Sequence, residues 1–156
     1  MNKEQIQELI DRYVSVSFKV NNKAEWLIKE QIGSDLTYEQ HYTLRFIHQN
    51  GKCTSTQLAE AFDVNKSAIT AIITRLTDKE IIKRTRDPED RRVVYLTLTD
   101  KGEKLYSESE KRVHALVGNI ITQFNSEEIE TFIQTYEKLL KILLNIQDQS
   151  QEEESK

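Results

Sequence analysis

Residues 54–84 read TSTQLAEAFDVNKSAITAIITRLTDKEIIKR and predict two helices joined by a tight turn. Thr54 and Gln57 have the spacing of a capping box, in which each side chain satisfies a free backbone amide of the other residue. The short helix that they begin places Leu58, Ala59 and Phe62 on one face. Asn65 is a good N-cap for a second, longer helix. The stretch therefore predicts a helix-turn-helix.

The second helix has two chemically different faces. Its inward face carries large apolar residues at helical spacing, namely Ile69, Ile72, Ile73 and Leu76. Its outward face is small and polar, with Ser67, Thr70, Ala71 and Thr74, and it is flanked by Lys66 and Arg75. Small side chains let a helix backbone approach base edges, hydroxyls offer hydrogen bonds to bases or phosphates, and cations favour phosphates.

The period of the pattern changes from 3.6 to 2 after this helix. Segments 81–86 (IIKRTR) and 93–99 (VVYLTLT) are rich in β-branched residues. Between them lies DPEDRR, residues 87–92, in which Pro88 presets a turn. We expect a two-stranded hairpin with a charged tip.

Another capping box, Thr37 with Gln40, begins a helix that precedes the two others and stops at Asn50 and Gly51. Three helices followed by a hairpin is the order of a winged helix-turn-helix, in which the third helix enters the major groove. We expect this fold over residues 37–99.

Long amphipathic helices flank the predicted winged helix-turn-helix, at residues 4–32 and 100–147. Ser126, followed by two glutamates in a favourable first turn, opens the last helix. The acidic tail, residues 148–156, is expected to be disordered. The sequence predicts a mainly α chain with a single domain over residues 1–147.

The charge of the chain is unevenly distributed. The net charge is −4, whereas residues 65–92 carry eight cations and five anions, a net charge of +3 that leaves −7 elsewhere. A locally basic segment in an acidic protein fits a small nucleic-acid footprint, and a solvated surface of mixed charge remains the alternative. No apolar run is long enough for a membrane span, and the N-terminus is polar, so we expect a cytoplasmic protein without a membrane partner.

The sequence resembles the MarR family of bacterial transcriptional regulators. The residues that carry the resemblance are the stretch 54–84 and its continuation DPEDRRVVYLTLTDKG, residues 87–102, within a match from about Thr37 to Gly102. The resemblance implies a homodimer that uses its long helices to dimerise and represses genes from a pseudo-palindromic operator in double-stranded DNA. It also implies a small, aromatic or phenolic ligand, bound between the long helices and the winged domain, that releases the DNA.

The resemblance also implies specific DNA contacts. Family wings place an Arg in the minor groove, held by an Asp two residues earlier, and these positions correspond to Arg92 and Asp90. A guanidinium is attracted to the negative potential of a narrow minor groove, and a nearby carboxylate can fix its rotamer. The candidate DNA-binding residues are Asn65, Lys66, Ser67, Thr70, Ala71, Thr74, Arg75, Asp90, Arg91 and Arg92. The chain departs from the family at Glu80, where a Gly is common, so its recognition helix is expected to end differently.

Other candidate sites are weaker. His41 and His48, seven residues apart on one helix face, are candidates to line a ligand cavity together with Tyr13. Cys53 precedes a helix N-terminus, where the helix dipole can lower the pKa of a thiol, so it is a candidate for a redox role. No pattern of zinc ligands, phosphate-binding loop or catalytic constellation is found, so we expect no metal, no cofactor and no enzymatic activity. The alternatives to a ligand-released repressor are a protein-interaction module and a redox-responsive regulator acting through Cys53.

Overall fold

The computed structural model describes residues 1–154, with side chains described for residues 1–147. It contains six helices and one two-stranded sheet within that range. In chain order the elements are α1 (Lys3–Ile32), α2 (Tyr38–Asn50), α3 (Ser55–Phe62), α4 (Lys66–Asp78), β1 (Ile82–Arg86), β2 (Val94–Leu98), α5 (Asp100–Ile121) and α6 (Ser126–Glu154). The predicted mainly α architecture, with a winged helix-turn-helix between long helices, is confirmed.

The core of the described chain lies where α2, α3, α4 and the hairpin meet. β1 and β2 pair antiparallel, with Ile82 opposite Leu98 and Arg86 opposite Val94. Cys53 adds a one-residue bridge to the outer edge of β2 through two backbone hydrogen bonds with Leu96. The fully buried side chains of this core include Leu44, Ile47, Leu58, Ile69, Leu76, Ile81 and Ile82.

Local capping chemistry begins three of these helices as predicted. Thr37 and Gln40 form a capping box at α2, and Thr54 and Gln57 form another at α3. The side chain of Asn65 accepts a hydrogen bond from the Ala68 amide at the start of α4. Such contacts span only three residues, so the sequence alone specifies them.

The end of α4 keeps the left-handed conformation although no glycine is present. Glu80 has φ 58°, and the amide of Ile81 donates to the Leu76 carbonyl at 2.9 Å. This arrangement costs roughly 1 kcal/mol more for Glu than for Gly. The expectation of a different helix end was therefore wrong, because the contacts around the end of α4 hold Glu80 in the strained conformation.

The chain divides into two compact units, Met1–Leu116 and a second that begins at Val117, within α5. The sequence predicts a single domain over residues 1–147, whereas the structure divides this range at residue 116. The buried apolar core of the described residues runs from Ile32 to Val113 and lies within the first unit. The division follows from this distribution of buried apolar side chains.

Asn125, rather than Ser126, caps α6. Its side chain accepts from the Glu128 amide, and the Glu128 carboxylate accepts from the Asn125 amide, both at 2.9 Å. The helix continues to Glu154, beyond the predicted end of the ordered chain at residue 147. Gln and Glu have good helix propensity, so a helix already begun can extend through this acidic segment. The last two residues of the predicted tail, 155 and 156, lie outside the described residues.

Candidate nucleic-acid interface

The recognition helix α4 buries one face and leaves the other open to solvent. Ile69, Ile73 and Leu76 are buried, and Ile72 is half-buried against the same core. The structure brings the predicted polar residues together on the opposite, exposed side: Asn65, Lys66, Ser67, Thr70, Ala71, Thr74 and Arg75. A helix held in this way exposes a face of small, mostly polar side chains, and a major groove is wide enough to admit such a helix.

The hydroxyls of this face differ in what they can offer to a base. Thr70 Oγ1 donates to the Lys66 carbonyl oxygen at 2.7 Å. Its single hydrogen is therefore engaged, and its free lone pairs can only accept. Within residues 1–147 the hydroxyls of Ser67 and Thr74 have no hydrogen-bond partner, so each remains free to donate or accept. The sequence predicted hydroxyls here but not this difference.

The start of α5 holds the C-terminal end of α4. Lys101 Nζ donates to the carbonyl of Lys79, the C-cap residue, at 2.7 Å. Thr99 Oγ1 lies 2.6 Å from the Glu80 carbonyl oxygen, and it accepts from the Gly102 amide at 3.0 Å. These contacts satisfy carbonyl groups that a helix end leaves without partners. Sequence reasoning missed Lys101, since it lies 22 residues from its partner.

Gly102 is necessary for this close approach. A Cβ atom at this position would lie 2.0 Å from the carbonyl oxygen of Ile81, a backbone atom that cannot move aside cheaply. Only glycine allows the first turn of α5 to pack against the segment between α4 and β1. Gly102 thus allows the close packing that positions the junction between α4 and β1.

The tip of the wing is a tight turn organised by two aspartates. Asp87 Oδ1 accepts from the amides of Glu89 and Asp90 at 2.8 and 3.0 Å. The same two hydrogen bonds lower the pKa of the Asp87 carboxyl, and the bond from the Asp90 amide has the larger effect. The turn therefore keeps its shape without the help of a partner molecule.

Arg92 projects from this turn and is held by Asp90. Its Nε and Nη2 atoms each donate to one carboxylate oxygen of Asp90 at 3.0 Å, a bidentate pair. The side chain of Arg92 is nevertheless 90% exposed. The hydrogen bonds between the two side chains lower the pKa of the Asp90 carboxyl and raise the pKa of the Arg92 guanidinium. The guanidinium is permanently charged, oriented and accessible, and Arg91 beside it is also exposed.

The weaker candidates are not brought together. His41 is completely buried, with Nδ1 3.0 Å from Ser109 Oγ, and so offers no surface to a ligand. His48 is on the surface, with Nδ1 2.9 Å from Glu103 Oε2, and Tyr13 is an exposed residue of α1. The packing of α2 against α5, which the pattern of α2 alone did not reveal, accounts for the burial of His41.

Cys53 is the clearest correction among the site residues. Its side chain is 1% exposed, and burial raises the pKa of the thiol to about 11. The expected lowering by the N-terminus of α3 was wrong, because the bridge to Leu96 directs Cys53 into the core. Reactive cysteines are accessible thiolates, and Cys53 is neither accessible nor ionised near neutral pH.

Within the part of the chain that the structure describes, no three His, Cys, Asp or Glu side chains form a group that could hold a metal ion. None of the helices in the same range combines the length and the apolar composition that crossing a bilayer requires.

Comparison with known proteins agrees with this geometry. The model of the MarR family matches residues 36–94, which include the helix-turn-helix and most of the wing. A solved MepR-like protein, crystallised with pseudoligands, is 32% identical with a TM-score of 0.62, over 86% of this chain and 95% of its own. The chain belongs to the MarR family. The regulators of this family are DNA-binding proteins without enzymatic activity, so the protein is a DNA-binding transcriptional regulator and not an enzyme.

Two other MarR-family relatives extend the comparison. The transcriptional repressor MdtR of Bacillus subtilis is 31% identical over 94 residues, which are 60% of this chain and 61% of MdtR. A MarR variant from E. coli, solved in complex with operator DNA, is 25% identical with a TM-score of 0.74 and covers 84% of this chain and 95% of its own. The winged helix-turn-helix described above is thus similar to one that has been observed on DNA.

Proposed function

We propose that the protein is a homodimeric repressor of a pseudo-palindromic operator and that a small-molecule ligand releases it from DNA. The observation that carries the proposal is the presence of two surface features in one compact unit: the exposed polar face of α4 and the oriented Arg92 at the wing tip. The relative MdtR is named a repressor, and the similar MarR variant is bound to operator DNA.

The proposal assigns a groove to each element. The outward face of α4 lies in the major groove, where Ser67, Thr70 and Thr74 contact base edges and Lys66 and Arg75 contact phosphates. Ala71 leaves room for the helix backbone, and Asn65 caps the end of α4 that enters the groove. Arg92 enters the minor groove in the orientation given by Asp90, with Arg91 on the adjacent phosphates.

Dimerisation is supported by apolar side chains that the single chain leaves exposed. In the first unit, α1 exposes a stripe at helical spacing that consists of Ile6, Leu9, Ile10, Tyr13, Val16 and Val20. In the second unit, the end of α5, the connection that follows it and α6 expose Ile120, Ile121, Phe124, Phe132, Ile133, Tyr136, Leu140, Leu143 and Leu144. Soluble monomers rarely leave so many large apolar side chains in water, so a second copy of the chain is proposed to cover them.

Ligand release is supported by a cleft beside the end of α4. Its volume is about 490 Å³, and its wall combines apolar Ile81 and Leu105 with three lysines, Lys79, Lys101 and Lys104, which outnumber the two acidic residues Asp35 and Glu108. A small aromatic compound with a phenolate or carboxylate group matches this combination. Such a ligand would compete for Lys101, which donates to the C-cap carbonyl of α4, and would thereby loosen the recognition helix.

The two alternatives have less support. A protein-interaction surface is typically enriched in aromatic residues, whereas α4 contains none and its exposed face carries hydroxyls, Lys66 and Arg75. A redox-responsive regulator acting through Cys53 needs an accessible thiolate, which the burial of Cys53 excludes in this structure.

Selection of bound sequences from a random pool of duplex DNA, combined with sedimentation of the free protein, tests the main proposal. We expect an inverted repeat and a particle with twice the chain mass. A single half-site bound by a monomer would contradict the homodimer, and the absence of any enriched sequence would contradict operator recognition.

The ligand is tested by titrating the protein–operator complex with 4-hydroxybenzoate and with benzoate, followed by fluorescence anisotropy of labelled DNA. We expect release of DNA at millimolar or lower concentration, and a weaker response in Lys104→Met, which removes a cation of the cleft that makes no contact with α4. DNA release that is identical in Lys104→Met would place the ligand elsewhere.

A further inference from the structure

The wing has a second polar face, which the proposed contacts do not use. Ile82, Leu96 and Leu98 direct one face of the hairpin into the core. The cross-strand pairs Lys83–Thr97 and Thr85–Tyr95 lie on the opposite face, because directly paired residues share a face and neighbours alternate.

The bridge at Cys53 adds a cation to this outer face. Since Cys53 pairs with Leu96 and points into the core, its neighbour Lys52 lies on the same side as Tyr95 and Thr97. Lys52 Nζ is 4.1 Å from the centre of the Tyr95 ring, a cation–π contact that holds the ammonium group above the sheet.

These residues surround a concave surface with a volume of about 370 Å³, which we call the outer wing face. Its polar wall consists of Lys52, Lys83, Thr85, Arg86, Tyr95 and Thr97, and Asp87 and Pro88 close it at the tip. Thr97 Oγ1 is buried, and within residues 1–147 it has no hydrogen-bond partner. A buried hydroxyl without a partner is costly, and a bound acceptor would satisfy it.

The charge of the outer wing face is not neutralised inside the protein. Within residues 1–147, Lys52, Lys83 and Arg86 form no salt bridge. The carboxylate of Asp87 is near enough to Lys52 for its pKa to be lowered slightly by that charge, but its hydrogen-bonding oxygen is engaged by the amides of Glu89 and Asp90. Lys52 and Lys83, several hydroxyl groups, and Arg86 at the end of the strand therefore surround a surface with one carboxylate.

The outer wing face offers mainly donors, namely ammonium, guanidinium and hydroxyl groups. It lacks the combination of donors and acceptors that recognises a base edge, so it suits phosphate oxygens. β1 has five residues and so spans about 16 Å, a length over which duplex DNA carries roughly nine phosphate charges. The same hairpin carries Arg92 at its tip, so DNA bound at the tip would have backbone within reach of the strands if its axis runs along the hairpin.

We infer that the outer wing face binds the phosphodiester backbone of the DNA that borders the minor groove entered by Arg92. The inference rests on the proposed function and adds a non-specific component to it. Lys52 and Lys83 contact phosphates, and Thr97 donates to a phosphate oxygen. This surface strengthens binding to all sequences alike and leaves the choice of operator to α4 and Arg92.

The test compares the salt dependence of binding in matched variants. In Lys52→Ala/Lys83→Ala, the slope of log Kobs against log salt concentration should fall in magnitude by about 1.8, since each lost phosphate contact contributes about 0.9. Affinity should fall for operator and random duplexes by the same factor, and Lys52→Arg/Lys83→Arg should retain the parent slope. As the matched control for the single variant Lys52→Ala, Lys111→Ala removes one cation from the exposed face of α5, and its slope should equal that of the parent.

Other outcomes separate the possible failures. An unchanged slope in Lys52→Ala/Lys83→Ala, or an equal loss in the α5 control, overturns the inference while parent binding to the operator keeps the proposed function. If the parent protein binds no duplex, the proposed function itself is contradicted. Inorganic phosphate provides the last arm: if it perturbs the side-chain NMR signals of Lys52 and Lys83 as strongly as DNA does at equal phosphate concentration, the surface is a site for free anions and the inference fails.

Discussion

His41 Nε2 lies 3.2 Å from Glu110 Oε2, where α2 packs against α5. Glu110 also accepts a hydrogen bond from Arg45 and lies 2.9 Å from His114 Nε2. Among the described residues neither His41 Nε2 nor Glu110 Oε2 has a hydrogen bond of good geometry. Burial lowers the pKa of His41, and the opposing attraction of Glu110 is the smaller effect.

This contact predicts a dependence of stability on pH. In the unfolded chain a histidine takes up a proton at about pH 6.5, whereas the lowered pKa of folded His41 delays its protonation to lower pH. Above pH 6.5 His41 is neutral in both states and contributes no slope. As the pH falls below 6.5, the unfolded state binds more protons, so the free energy of unfolding decreases by at most about 1.4 kcal/mol per pH unit.

Urea unfolding of parent and His41→Gln between pH 7.5 and pH 5 measures this effect. We expect a weaker pH dependence in His41→Gln below pH 6.5. His48→Gln removes an exposed imidazole from the same helix and serves as the control. If parent and His41→Gln lose stability in parallel over this range, the slope arises elsewhere.

The bidentate contact between Arg92 and Asp90 predicts graded effects at the wing. Arg92→Ala should weaken operator binding about tenfold or more and reduce the salt slope by about one, because a minor-groove guanidinium acts largely through the phosphate field. Asp90→Ala should have a smaller effect, since Arg92 remains charged but loses its fixed orientation. Anisotropy titrations at several salt concentrations measure both, with circular dichroism and sedimentation expected to be unchanged. Equal operator affinity of Arg92→Ala and parent would exclude the hairpin from DNA recognition.

The internal hydrogen bond of Thr70 predicts which bases it can distinguish. As an acceptor it can recognise the amino group of adenine or cytosine, and its methyl group can contact thymine. Thr70→Val retains the shape and removes the acceptor. It should relax the preference at one position of each half-site by about 1 to 3 kcal/mol if that position carries an amino group in the major groove.

Competition between single-base operator variants at one salt concentration measures this preference. Ser67→Ala should relax another position, whereas Lys66→Ala should weaken binding to all variants alike, because a phosphate contact carries no sequence information. The same order of operator variants for parent, Thr70→Val and Ser67→Ala would show that this face of α4 does not contact bases.

The two glycines of α5 predict opposite responses to the same substitution. At Gly102 a Cβ would meet the Ile81 carbonyl at 2.0 Å, whereas at Gly118 nothing lies within 4 Å. Gly102→Ala should therefore destabilise the protein by about 2 kcal/mol or more, because the first turn of α5 must move away. Gly118→Ala should stabilise it by about 1 kcal/mol through helix propensity. Chemical denaturation of both variants provides the comparison, and a neutral Gly102→Ala would mean that this approach is not required.

The sequence predicted the features that depend on residues close together in the chain. The capping boxes at Thr37 and Thr54, the N-cap Asn65 and the Asp90–Arg92 pair all join residues two or three positions apart. The alternation of hydrophobic residues was enough to locate the hairpin, although β1 begins one residue later than predicted and β2 is one residue shorter at each end.

The sequence did not reveal contacts that depend on how the elements pack. The His41–Glu110 contact joins residues far apart in the chain, and no periodicity within α2 distinguishes a buried histidine from one that lines a cavity. Cys53 was misjudged for the same reason, since its burial depends on pairing with Leu96. The outer wing face depends on the pairing of β1 with β2 and of Cys53 with Leu96. Its arrangement cannot be predicted from the sequence, in which its lysines count only toward the net charge.

The contacts of Lys101 and Gly102 with the segment between α4 and β1 fix the distance between the recognition helix and the start of the wing. Because α5 holds this segment at both Lys79 and Ile81, the recognition helix and the wing tip cannot slide apart independently. In the proposed binding mode, the interval between the base pairs contacted by α4 and the minor-groove position of Arg92 should therefore be constant. One base pair inserted within a half-site would displace the second contact by about 3.4 Å along the duplex. The operator is thus expected to tolerate changes of base in this interval far better than changes in its length.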